Sequence, residues 1–136
     1  MKKYHTENEI SELVTAFETG TISREEWKHT EHLIVALHYL SENNFEGAYR
    51  KMRNGIFNLL KAFEVDLTKE MPYHETLTMF WLKTVDEFRK TKSDCSLLEI
   101  TNELTETFDK DYPLKFYSRE LLFSDGARAK FVEADL

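Results

Sequence analysis

The sequence predicts an all-α fold: one domain over 1–136, a bundle of five or six helices with the second at its centre. Three observations carry this expectation. Only four glycines and two prolines occur in 136 residues, too few for a sheet protein built on tight turns. Helix-start signals recur, because Thr6 precedes Glu9, Ser23 precedes Glu26 and Ser96 precedes Glu99. Each pair has the spacing of a capping box, in which the hydroxyl accepts from the N3 amide and the acid reaches back to the N-cap amide. Finally, apolar residues return every three or four positions, the period of a half-buried helix.

The first helix is expected from about Glu7 to Thr19, with the stripe Ile10, Leu13, Val14 and Phe17, and Gly20 as its stop. The second opens at Arg24 and carries Trp27, Leu33, Ile34, Leu37 and Leu40 before Asn43-Asn44 ends it. Its apolar arc is wide, which places it in the middle of the bundle. The third runs from about Phe45 to Phe63, and its Gly47 and Gly55 either weaken it or let another helix come close. Glu64 to Met71 reads as a loop, and Pro72 suits the first turn of a fourth helix reaching about Arg89. A fifth spans Leu97 to Phe108, and Pro113 breaks the pattern. The stretch 114–136 is a less regular tail packing on the bundle, with short helical segments near Ser118–Phe123 and, capped by Ser124, near Asp125–Val132.

Charge and composition narrow the function. Eighteen basic against 25 acidic residues give a net charge of −7, which argues against a nucleic-acid module. No run approaches the roughly 18 apolar residues of a membrane span. Met1-Lys2-Lys3-Tyr4-His5 leads into polar residues, so no secretory signal is expected. A single cysteine, Cys95, cannot make an internal disulfide, which fits a reducing cytoplasm. Asp94 beside it would raise the thiol pKa, so Cys95 is not read as a nucleophile.

The informative residues are polar ones on apolar faces. With His29 at zero on a helical wheel, Leu33, Ala36 and Leu40 fall within about 40° of it, and His32 and Glu26 lie about 60° to either side. His38 falls opposite and reads as surface. On the fourth helix His74 flanks the face formed by Tyr73, Leu77, Phe80, Trp81, Thr84 and Phe88, and Glu75 reads as a first-turn acid complementing the helix dipole. If the starts of helices two and four meet, His29, His32 and His74 converge. Three imidazoles can hold Zn²⁺ or Fe²⁺ and leave a position open for water or substrate, with Glu26 as ligand or orienting partner. A metal-free site would instead use one histidine as general base. The structural alternative has each ring half-buried with its nitrogens satisfied by backbone carbonyls, and Glu26 spent as a capping acid. Tyr73, Trp81, Tyr117 and Arg128 are candidate pocket walls, the tail acting as a lid or as a docking segment for a second copy.

The stretches Glu26-Trp27-x-His29-x-x-His32-Leu33, Tyr73-His74-Glu75-Thr76-x-Thr78 and Tyr117-Ser118-x-x-Leu121-Leu122-x-Ser124-x-x-Ala127-Arg128 resemble an uncharacterised family of small, soluble bacterial proteins. The resemblance spans most of the chain and implies a single helical domain; it brings no activity with it. There is also a likeness to helical-bundle metalloproteins that hold a metal with three histidines, although in those the last two histidines pair late in the sequence. The leading functional expectation is therefore a cytoplasmic protein that binds a small molecule or a divalent metal, a metal-dependent enzyme being one form of it. Its competitor is a protein–protein interaction or regulatory module with structural histidines. Neither nucleic acid nor membrane is expected as a partner, and a homodimer is compatible with both readings.

Overall fold

A computed structural model describes residues 4–70 and 72–136. Met71, the last position of the expected loop, and residues 1–3 of the expected signal-free N-terminus lie outside the described residues. The fold is all-α. Among the described residues, five long helices, α1 (Glu7–Glu18), α2 (His29–Glu42), α3 (Phe45–Ala62), α4 (Glu75–Lys90) and α5 (Leu97–Thr107), are followed by a 3-10 turn (Tyr112–Lys115) and two short helices, α6 (Arg119–Leu122) and α7 (Asp125–Ala129). Among the described residues no helix is long and apolar enough to cross a membrane.

The local signals fix most boundaries. Thr6 accepts the Glu9 N–H at 3.1 Å, and Gly20 follows α1 at φ +69°, where a side chain would be strained. Asn44 caps α3 at 2.8 Å, Ser96 and Glu99 exchange both bonds of a capping box, and Ser118 and Ser124 cap α6 and α7. In α2 the five consecutive residues Leu33–Leu37 are all at most 1% exposed. Five residues exceed one turn, so this stretch of α2 is enclosed all round, and α1, α3, α4 and α5 all pack on the helix.

Gly55 is a site of close approach. A Cβ there would fall 2.3 Å from Phe17 Cε2, so the Phe17 ring of α1 occupies the space a side chain would need. Phe17 is itself fully buried and stacks on Trp27 with ring centroids 4.8 Å apart.

Two helix starts depart from expectation. The Ser23–Glu26 signal closes only one turn: the Glu26 N–H meets the Ser23 hydroxyl at 3.2 Å, and that hydroxyl donates to the Glu26 carboxylate at 2.9 Å. Trp27 then turns to its stack on Phe17, Lys28 is extended, and α2 begins at His29. Its first-turn acid is Glu31, 5% exposed, which accepts the Lys28 N–H at 3.3 Å and the Tyr4 hydroxyl at 3.0 Å. Likewise Pro72 precedes α4 instead of opening it, because His74 takes the N-cap position in an extended conformation and its Nδ1 accepts the Leu77 N–H at 3.1 Å.

The C-terminal segment lies along α4. The fully buried Thr76 hydroxyl lies 2.7 Å from the Ala127 carbonyl and 3.0 Å from that of Lys130, and it accepts the Val132 N–H at 3.1 Å. Tyr117 donates to the Val132 carbonyl at 2.7 Å, and Asp135 accepts from both the N–H and the hydroxyl of Ser118. The Tyr73–Thr78 and Tyr117–Arg128 stretches, far apart in sequence, are thereby held together.

Candidate functional site

His29, His32 and His74 occupy three different settings. His29 Nε2 donates to the Phe108 carbonyl at 3.0 Å, and its ring packs against Trp81 with centroids 4.8 Å apart. His74, at the α4 N-cap, lies two turns before Trp81, roughly 10 Å along the helix axis. Both its nitrogens are engaged, Nδ1 by the Leu77 N–H and Nε2 by the Leu122 carbonyl. Burial, together with the positive charge of Arg128, holds the His74 pKa below its ordinary value, favouring the neutral ring this bonding requires. His32 is half-buried as a residue, but its Nε2 is sealed and has no hydrogen-bond partner among the described residues. Burial, and secondarily the neighbouring His29, lower its pKa from 6.5 to about 4.

Glu26 is exposed in the turn before α2, bonded to Ser23, so it does not share a helix face with His29. No group of three or more His, Cys, Asp or Glu side chains able to hold a metal ion forms among the described residues. His38 pairs with Glu42 at 2.8 Å on the outside of α2, and Cys95 is a half-buried free thiol.

A different constellation forms where α3, the start of α4 and α7 meet. These elements enclose an open cleft of about 690 Å³. Along α3, Arg50, Arg53, Asn54 and Phe57 recur at helical spacing and line it, roughly opposite the stripe Ala48, Met52, Gly55 and Leu59 that faces the core. Glu75 sits in the first turn of α4, and Arg128 comes from α7.

Glu75 is the hub of the cleft. Tyr73 donates to its Oε1 and Tyr49, from α3, to its Oε2, each at 2.6 Å. Burial comes first, and the adjacent carboxylate second, in raising both phenol pKa values above their ordinary range. Both hydroxyls therefore stay protonated and keep donating. Phe57 and Tyr73 pack with ring centroids 4.7 Å apart, and the Arg53 guanidinium lies over both rings, 5.0 and 5.7 Å from their centroids. Arg50 is taken by Glu46 at 2.7 Å.

Of the four residues expected to wall a pocket, Tyr73 and Arg128 do meet here. Trp81 is 4% exposed and packs among His29, Phe80, Phe108 and Tyr112. Tyr117 lines a separate, largely aromatic cleft of about 470 Å³ with Phe80, Phe108 and Phe131. Sequence reasoning missed Tyr49, Arg50, Phe57 and Asp125, and it gave Glu75 only a dipole role. The available signal was the Arg50-x-x-Arg53-x-x-x-Phe57 spacing, one face of a helix bearing two cations and a ring. No protein-family model, curated protein or solved structure matches this chain.

Proposed function

We propose that this protein binds a small organic molecule in the cleft between α3, α4 and α7. The observation that carries the reading is the combination of size and organisation: about 690 Å³ of space, aromatic walls, and polar groups converging on Glu75. Ligand sites are typically concave, partly aromatic and furnished with a few fixed polar groups, in volumes of roughly 300–1,000 Å³. The cleft is also pre-formed, since the carboxylate fixes both tyrosines and the C-terminal segment is tied to Thr76. Less of the binding energy is then lost to ordering side chains.

Two other concavities support the reading less well. The cleft between α1 and α2 gathers Glu9, Glu12, Glu25, Glu26 and Glu31 against Lys28. The Tyr117 cleft is smaller and mostly rings, and its charged residues are two acids, Glu87 and Glu133, beside one cation, Lys83. Ligand-observed NMR with a set of small aromatic compounds tests the proposal. Binders are expected to shift the backbone amides of Tyr49, Phe57 and Tyr73, and Phe57→Ala to weaken them. Shifts confined to either of the other clefts, or no binding at millimolar concentration, would reject it.

A further inference from the structure

Resting on that reading, we propose that the ligand is an organic oxyanion, a carboxylate or phosphate attached to a flat ring, and that Arg53 is the residue that selects it. Around the Glu75 hub most donors and acceptors are already committed. Each oxygen of Glu75 receives a tyrosine hydroxyl at 2.6 Å, which takes one lone pair on each and fixes the carboxylate in place. The hydrogens of both phenols are spent on the same carboxylate. Arg50 is held by Glu46 outside the hub.

Arg53 is different. It forms a loose ion pair with Glu75 Oε1 at 4.0 Å, too long for a hydrogen bond, and Arg53 makes no hydrogen bond to another described residue. Yet its side chain is only 46% exposed, and the guanidinium rests over Phe57 and Tyr73. It is a planar fork of five N–H donors, positioned by stacking and left with its hydrogen-bonding capacity unused. The complement of such a fork is an anionic group with two oxygens side by side, which carboxylates and phosphates present and which amides and amidinium cations lack. Arg128 adds positive charge from the α7 side, in a chain whose overall charge is −7. Asp125 on the α7 side and the Glu75 carboxylate, 4.0 Å from Arg53, would both repel an anion, which places the oxyanion on the α3 side of the Arg53 guanidinium, away from both acids. The rings beside Arg53 supply the surface for a flat apolar part.

The test titrates phenyl phosphate, benzamide and benzamidine in turn into the isotopically labelled full chain, following amide shifts. Phenyl phosphate is expected to bind at least about tenfold more tightly than benzamide, to shift the Arg53, Phe57 and Tyr73 amides, and to weaken with added salt. Arg53→Gln is expected to remove about tenfold of that affinity while leaving the thermal melt in place. If benzamide binds as well as phenyl phosphate, or benzamidine binds best, the oxyanion inference falls and the cleft stands as a binding site. If phenyl phosphate binds with affinity unchanged by Arg53→Gln, the assignment of Arg53 is overturned. If none of the three binds, the inference falls, and the aromatic-compound screen decides separately whether the cleft binds anything.

Discussion

His32 and Arg53 are both nitrogen-rich side chains set beside aromatic rings, one against Trp27 and the other against Phe57 and Tyr73. At the α2 start the polar atoms are enclosed: His29 is tied to the Phe108 carbonyl, and His32 Nε2 is sealed with no partner among the described residues. In the α3–α4–α7 cleft they are organised around one carboxylate at the wall of an open cleft, with the partly exposed Arg53 guanidinium still able to donate. The enclosed group weakens the fold when its charge changes, whereas the open group can meet a ligand at little cost to the fold.

The largest expected effect is on the enclosed side. The folded His32 binds its proton with a pKa of about 4, against an ordinary 6.5, so the unfolded chain takes up that proton first as the solution is acidified. Stability from this group is complete above pH 6.5 and falls by about 3 kcal/mol as pH drops to about 4. Chemical denaturation across that range measures it. His32→Leu should abolish most of the pH dependence, and a slope that persists in the variant would locate the cause elsewhere.

The hub gives an intermediate effect. Glu75→Ala removes the acceptor of two hydroxyls, one on Tyr73, which is 6% exposed, and should cost about 1–2 kcal/mol in urea unfolding at pH 7. An unchanged midpoint would mean that the tyrosines find other partners and that the cleft is not pre-formed. The smallest effect is expected for Arg53→Gln, within about 0.5 kcal/mol, because the side chain is nearly half exposed and makes no hydrogen bond to another described residue. A larger loss would make Arg53 structural and erase the contrast between the two regions.

What the sequence made legible follows the range of the interactions. Caps and stops act within four residues, so Thr6, Ser96, Gly20 and Ser124 announce their helices correctly. The enclosure of α2 was legible too, because a wide apolar arc has one solution in a bundle. The α2 start was not. A capping-box pattern serves a single turn as well as a helix, and the choice at Ser23–Glu26 accompanies Trp27 reaching Phe17 ten residues back. The cleft was hidden for the same reason: Tyr49 and Glu75 are 26 residues apart, and nothing local to Glu75 announces a phenol from another helix. Helix phase located His29 on the face that packs on α4, but the partners of His29 and His74 are the backbone carbonyls of Phe108 and Leu122, which carry no side-chain signature.

The contact between Gly55 and Phe17 works as an alignment key for α3. A bare backbone is seated against a ring, so rotating α3 about its axis would drive a neighbouring side chain into Phe17. Helix rotation and the aim of the opposite face are one degree of freedom, and Arg50, Arg53, Asn54 and Phe57 lie on that opposite face. The direction in which the cleft presents its cations is therefore set from behind by a wholly apolar contact. Substitutions at a position about half a turn away could retune ligand preference without touching a lining residue.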